Sequence, residues 1–325
     1  MLRFLPLLLF PGLLPAQVTT LSHPGIPYRV PDQPWHRLHR ADISIVVVNN
    51  EAVDDDTLPG HRAGYSGVAR LSHRLRPETL FLPSVSGLNF EFIHDGKAHD
   101  TSLLFEPRRA PMELRVIDAH TVELYQAPTP FWGLESAHRY HLLPDGTIEL
   151  TIQCIPRRPT FRNGYIGLFW ASYIHQPESL DIHFPGNPES PGAPPQWVRG
   201  VTPEHGVHAT HLALDDHREF PHDPNFPVKL MFGLSPHRFA EPWYYGISHG
   251  MAFVQIFRPQ DQVRLTQSPT GGGRGNPAWD FQFLISNYQV DRLYTFVMRA
   301  AYLPFVSSAQ LQADTLPHRR ALGHP

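Results

Sequence analysis

His138-Arg-Tyr-His-Leu-Leu-Pro-Asp-Gly-Thr-Ile-Glu-Leu-Thr-Ile152 is the stretch that decides the fold. Ile148–Ile152 alternates apolar with polar residues, the period of a half-buried strand, and Tyr140–Leu143 is the matching run before it. Pro144-Asp-Gly-Thr147 lies between them and supplies the residues a tight turn needs, so the stretch predicts a β-hairpin. Outward from it, strand-like runs recur: Ile43–Val48, Ser66–Leu71, Met112–Ile117, Thr121–Tyr125, Val228–Phe232, Met251–Phe257, Gln262–Thr266, Phe281–Ile285 and Leu293–Arg299. Helical periodicity is nearly absent, and only about Ser307–Leu316 reads as a short helix. The 35 prolines are scattered along the chain, which suits edges and turns and not helix interiors.

Met1-Leu-Arg3, the apolar Phe4–Leu14 and the small-residue site Pro15-Ala16-Gln17 match the three regions of a signal peptide, so residues 1–16 are expected to be removed on export to the periplasm or the extracellular space. The apolar run is too short to span a bilayer, and no later run approaches a spanning length. The single cysteine, Cys154, can form no internal disulfide, which leaves the fold to its apolar core. A net charge of -3 with both signs interspersed argues against a nucleic-acid surface. Roughly 300 mature residues suffice for one large β domain or two smaller ones, and with no change of composition to mark a second domain one is preferred. The expected organisation is an N-terminal extension over 17–40, a sandwich over 41–306 with an irregular proline-rich insertion at 185–225, and a tail from 307 to 325.

Glu123–Pro156, "ELYQAPTPFWGLESAHRYHLLPDGTIELTIQCIP", followed by Gly164–Ile174, "GYIGLFWASYI", resembles the middle of the galactose-mutarotase-like superfamily. That resemblance implies an all-β supersandwich of two large antiparallel sheets with few helices, a fold carried by aldose epimerases, glycosidases and polysaccharide lyases. The epimerases' paired-histidine motif is not found here, nor is their C-terminal Glu in its usual setting. The resemblance therefore implies carbohydrate as the ligand class without a mechanism.

The residues themselves point the same way. Ser268–Ile285 carries a glycine-rich loop that delivers Arg274, Asn276, Trp279, Asp280 and Gln282 into a strand. Glycines admit close backbone approach, an indole offers an apolar face, and the polar groups satisfy hydroxyls. Trp243 and His249, in Trp243–Met251, form a second aromatic cluster before a strand. Trp132 and Glu135 stand together ahead of the hairpin. Glu91 lies between Phe90 and Phe92, where burial would raise its pKa; strict alternation places Asn89, Glu91 and Ile93 on one face. His61, Arg62 and Tyr65 sit at a loop–strand junction, and His183 follows Asp181. In Gly167–His175, Phe169, Ala171 and Tyr173 share one face, with Trp170, Ser172 and Ile174 on the other. His205, His208 and His211 have a spacing that invites a metal, but on a strand His208 would face away from the other two.

No P-loop, Gly-x-Ser-x-Gly elbow or reactive cysteine is evident. The expected protein is a carbohydrate-active enzyme. A carboxylate among Glu91, Glu135 and Asp280 would pair with a histidine among His61, His183 and His249, while Arg62, Tyr65, Trp132, Trp243, Arg274, Asn276 and Trp279 bind substrate. Epimerisation, glycoside cleavage and uronate elimination all remain open, on a mono-, oligo- or polysaccharide. No organic cofactor is called for, and the histidines leave room for Ca²⁺ or another divalent metal. The alternatives are a non-catalytic carbohydrate-binding or envelope-associated protein, in which the aromatic and polar residues would still line a groove, and a structural protein, in which the histidines and aromatics would not converge. The oligomeric state is open.

Overall fold

The computed structural model describes residues 20–187 and 195–324, so the signal-peptide expectation and the middle of the proline-rich string lie outside the described residues. The strands are β1 (Trp35–Arg40), β2 (Ile43–Val48), β3 (Gly67–His73), β4 (Asn89–His94), β5 (Met112–Asp118), β6 (Thr121–Gln126), β7 (Leu134–Leu142), β8 (Ile148–Pro156) and β9 (Tyr165–Ala171). They continue with β10 (Ile182–Asn187), β11 (Gln196–Gly200), β12 (Thr210–His211), β13 (Arg238–Phe239), β14 (Trp243–Ser248), β15 (Met251–Phe257), β16 (Arg264–Ser268), β17 (Ala278–Ser286) and β18 (Tyr294–Pro304). Among the described residues there are four short helices: α1 (Thr101–Leu104) and α2 (Glu106–Arg109) between β4 and β5, and α3 (Ser308–Asp314) and α4 (Leu316–Ala321) after β18. Among the described residues no helix is long and apolar enough to cross a membrane.

The hairpin forms as its sequence dictates. β7 pairs with β8 from Leu134–Pro156 to Leu142–Ile148. Its turn is closed by the Leu143 N–H donating to Thr147 O at 2.8 Å and the Gly146 N–H donating to Leu143 O at 2.8 Å. Gly146 takes φ +89°, a conformation that costs glycine little. Asp145 Oδ1 accepts the Thr147 N–H at 3.0 Å.

The result is an all-β sandwich. A 10-stranded sheet runs β11-β10-β14-β15-β18-β8-β7-β6-β5, with β13 also on β10; a 5-stranded sheet runs β12-β16-β17-β9-β4; a 3-stranded sheet holds β1-β2-β3. The strand pairs within these sheets are antiparallel. The core lies between the two larger sheets. From the smaller, Phe90, Trp170 and Phe281 stack in a row; they meet His138 and Phe257 of the larger sheet, and Phe283 stacks on Phe296. Apolar area removed from water in this way is the dominant stabilising term, roughly 25 cal/mol per Å².

Three sequence expectations change. Val228–Phe232 is no strand but a 3₁₀ turn over Lys229–Met231, laid across the 5-stranded sheet: Thr210 Oγ1 donates to Leu230 O and Gln282 Nε2 to Met231 O. Helices α1 and α2 were not legible, because four residues are too few to show a period. The stretch read as irregular, 185–225, contains β11 and β12. At the C-terminus the expected helix is present as α3, capped by the Ser307 side chain accepting from the Gln310 N–H.

The fourth departure positions the site. β4 pairs Phe90 with Trp170 and Phe92 with Phe169, so Glu91 is an extra residue in a β-bulge. A bulge re-aims side chains locally. Here alternation resumes one residue late. Ile93, expected on the Glu91 face, is buried in the core, whereas Glu91 and Phe92 both line the outer cleft.

Candidate functional site

The outward face of the 5-stranded sheet is the floor of a cleft of about 260 Å³. Four of its strands contribute: β4 the adjacent bulge residues Glu91 and Phe92, β9 the alternate Phe169 and Ala171 with Tyr173 beyond it, β17 the alternate Ala278 and Asp280, and β16 its last residue, Ser268. Phe105, between α1 and α2, and Pro227, Val228 and Leu230 of the 3₁₀ segment form apolar walls. His205 and Gly271 stand at the rim. The cleft thus joins aromatic and aliphatic surface to a few converging polar groups, the usual constitution of a small-ligand site.

The polar groups fall into two sets. In the first, Glu91 Oε1 accepts the Tyr173 hydroxyl at 2.7 Å and lies 2.6 Å from Arg108 Nη2. Arg108 also donates to the Tyr173 oxygen at 2.9 Å, with its guanidinium 4.2 Å from the Tyr65 ring centre and 4.7 Å from that of Phe105. Arg108 is thereby fixed behind the cleft, held by planar contacts that favour an arginine. In the second set, His205 Nδ1 and Ser268 Oγ are 2.8 Å apart.

Asp280 belongs to neither set. It is 2 % exposed, and its Oδ1 accepts the Ser172 N–H at 2.9 Å. Burial raises its carboxyl well above the ordinary carboxylate range; the Ser172 amide opposes this and the Glu91 charge adds to it. Burial also raises Glu91, but the Arg108 charge and the Tyr173 hydroxyl pull it back toward the ionised form. Both carboxyls facing this cleft are thus raised by burial, Asp280 well above the ordinary range with only the Ser172 amide opposing, and Glu91 against the opposition of the Arg108 charge and the Tyr173 hydroxyl. Burial lowers the pKa of the His205 imidazole, which keeps it neutral.

Of the residues expected from sequence, Glu91 and Asp280 line this cleft. Tyr65 and Arg62 stand behind it: the Arg62 guanidinium lies 5.2 Å from the Tyr65 ring centre, and Tyr65 meets Tyr173 edge-on at 5.7 Å. His61 is buried, donates from Nε2 to Tyr65 O at 2.9 Å and lines a separate, mostly apolar hollow of about 190 Å³. Burial lowers its pKa, against the pull of that carbonyl.

The other candidates lie elsewhere. Glu135 is an anchor for the N-terminal segment: it accepts from the Leu21 N–H (2.8 Å), the Thr20 hydroxyl (2.9 Å) and Arg157 Nε (2.9 Å). His249 is exposed, at φ +53° in the turn from β14 to β15, with its N–H donated to Glu178. His183 stacks on Tyr245 at 5.1 Å, and burial lowers its pKa.

The indoles expected to stack on a ligand are core. Trp132, Trp243 and Trp279 are fully buried, since their large apolar area gains most from leaving water. Trp132 stacks on Phe161 at 4.9 Å, Trp243 lies beneath Arg319, and Trp279 fills the space that a side chain at Gly246 would need. Arg274 is exposed at the glycine-loop tip. Asn276 Oδ1 accepts the Gln176 N–H at 3.1 Å and ties that loop down. The three histidines diverge: His205 turns to Ser268, His208 is exposed at φ +52°, and His211 is buried beside Gln267. Among the described residues, no group of three or more His, Cys, Asp or Glu could hold a metal ion.

Sequence reasoning missed Arg108, Ser268 and Phe105. Phe169, Ala171 and Tyr173 were readable as one face of β9, and that face is the cleft.

No protein-family model matches the chain, and no curated protein matches it in sequence. Solved structures do resemble it. A candidate aldose 1-epimerase from Escherichia coli K12 is 11 % identical, with 83 % of this chain and 99 % of that one covered at a TM-score of 0.46. An α-N-acetylgalactosaminidase from Bifidobacterium bifidum is 10 % identical, covering 89 % of this chain and 39 % of that one, at 0.48. A heparan sulfate lyase from Pedobacter heparinus is 10 % identical, covering 86 % and 38 %, at 0.38.

Proposed function

We propose that the cleft binds a single neutral sugar ring and that the protein is an enzyme moving protons on it, with Asp280 as donor and Glu91 as acceptor. The observation that carries this is the contrast in partners of the two carboxyls: one buried with a single amide partner, the other paired with Arg108 and Tyr173. Carboxyls whose environments separate their pKa values are suited to acid and base roles at neutral pH.

Their placement favours a ring between them. β9 separates β4 from β17, so the two backbones are two strand spacings apart, roughly 9–10 Å. The volume of about 260 Å³ lies below the roughly 300–1,000 Å³ of sites for larger ligands. Phe92, Phe105 and Phe169 offer apolar surface to C–H groups, while Tyr173, Asp280 and Glu91 meet hydroxyls. Among the described residues that line the cleft there is no Arg or Lys, and Arg108 is already paired with Glu91, which disfavours a uronate. A protonated Asp280 gives its proton to the ring oxygen as Glu91 takes one from the anomeric hydroxyl. This opens the ring, and reversal from the other face exchanges anomers.

We also propose export, with a mature chain starting near Gln17. N-terminal sequencing of protein recovered outside the cytoplasm tests that point. For the chemistry, the mature protein is incubated with neutral monosaccharides while anomeric exchange is followed by NMR. Exchange that is lost in Asp280→Asn and Glu91→Gln supports the reading. A sugar-induced rise in melting temperature without exchange identifies a binding protein instead, and cleavage of a glycoside with no anomeric exchange assigns the same pair to hydrolysis.

A further inference from the structure

The His205–Ser268 pair has no part in that scheme. Ser268 closes β16 where the chain enters the glycine loop, and it lines the cleft with His205. Its Oγ accepts the Thr270 N–H at 3.3 Å and lies 2.8 Å from His205 Nδ1. With one lone pair taken by the amide, the hydroxyl hydrogen is free to point at the imidazole. A hydroxyl hydrogen-bonded to a neutral imidazole at the edge of a cleft is the arrangement of an activated serine.

The cleft also offers an oxyanion donor and an acyl pocket beside this pair. Ser268 pairs with Ala278, and Thr266 pairs with Asp280. Ser268 and Asp280 are therefore diagonal neighbours on one face, a relation that spans roughly 7–8 Å and leaves room for a tetrahedral carbon between them. A buried carboxyl kept protonated can donate a hydrogen bond to a developing oxyanion. Phe169, Val228 and Leu230 provide an apolar wall for a short acyl chain.

We infer that Ser268 is a nucleophile for ester cleavage and that the substrate is a sugar carrying a short acyl ester. Ser268 Oγ attacks the ester carbonyl carbon while its proton passes to His205 Nδ1, and Asp280 donates a hydrogen bond to the carbonyl oxygen. The tetrahedral species collapses, the ester C–O bond breaks, and His205 returns the proton to the departing sugar alkoxide. A water molecule then attacks the acyl-serine, giving its proton to His205, and collapse restores the Ser268 hydroxyl and releases the carboxylic acid. The sugar half of this substrate rests on the function proposed above, and the acyl half does not.

The test uses p-nitrophenyl acetate and a fluorophosphonate on the mature chain with no sugar present, followed by peptide mapping. The expected result is a covalent adduct on the peptide containing Ser268, with labelling about 100-fold slower in His205→Asn. Mapping on the unmodified chain keeps the test independent of whether a variant folds. An adduct elsewhere, no adduct, or an unchanged rate in a folded His205→Asn overturns the inference and leaves the pair as a pin between two loops. Labelling of Ser268 without anomeric exchange on free sugars upholds this inference and sinks the acid–base reading; the converse result does the opposite.

Discussion

Asp280 and Glu135 are both strand carboxyls at 2 % exposure, and the fold treats them in opposite ways. For Glu135 burial works to raise the pKa, but Arg157, the Leu21 amide and the Thr20 hydroxyl outweigh it and hold the carboxyl below its usual range. Among the described residues Asp280 has one backbone amide and no cation as partner, and burial leaves it well above that range. The first arrangement fastens the N-terminal segment to the 10-stranded sheet. The second keeps a proton available in a cleft. A buried carboxyl becomes chemically useful where its partners are too few to keep it ionised.

The most severe way to break this contrast is Asp280→Asn, which preserves shape and the Ser172 hydrogen bond but removes the transferable proton. Sugar turnover is expected to fall by about 10²–10⁴-fold, measured as anomeric exchange, and a melting temperature within a few degrees of the parent would show that the loss is chemical. A variant that turns over normally would remove Asp280 from the mechanism.

Glu135→Ala should do the reverse. Leaving the Leu21 amide and the Arg157 guanidinium without their acceptor is expected to cost about 1–3 kcal/mol. That figure sits below the value for a fully buried pair because Arg157 is partly exposed and also meets Asp291. Urea unfolding reads the loss, and turnover per folded molecule should stay at the parent value.

The two carboxyls should also give stability opposite slopes with pH. Asp280 is raised in the folded state, so its contribution is fully present below the unfolded value and is lost as pH rises through the folded one. Glu135 is lowered, so its contribution is present above the unfolded value and is lost as pH falls through the folded one. Unfolding free energies across a pH series should show Asp280→Asn flattening the alkaline side and Glu135→Gln the acid side. The smallest effect is reserved for His249→Ala, whose side chain is exposed; it should stay within about 0.5 kcal/mol and leave turnover unchanged, and a clear loss of turnover there would extend the site well beyond the cleft.

Much of the architecture was legible from local pattern. Met251–Phe257 and Ile43–Val48 are strands with the expected bounds, and the Pro144–Thr147 turn behaves as its residues require. Simple alternation groups Phe169, Ala171 and Tyr173 on one face of β9 and its continuation and Trp170 on the other, and the structure shows the first face to be the cleft. Asp280 and Glu91 could be nominated from residue type. Their selection over Glu135 could not, because it depends on partners such as Leu21 and Arg157 that are distant in sequence. Arg108 was hidden in a helix too short to show a period, and the His205–Ser268 pair joins segments more than sixty positions apart. The tryptophans misled for a physical reason: the apolar surface that would suit a sugar suits a sandwich core better.

The bulge at Glu91 makes β4 a strand read in two frames. Upstream of it, one parity of residue number faces the core; downstream, the other does. Keeping Glu91 but straightening the bulge, so that it paired with Phe169, would act on the faces as a frameshift acts on codons, turning Phe92 inward and Ile93 outward without changing composition at all. An alignment that threads a sequence lacking this extra residue through the strand without a gap at Glu91 would assign each later position to the wrong side of the sheet.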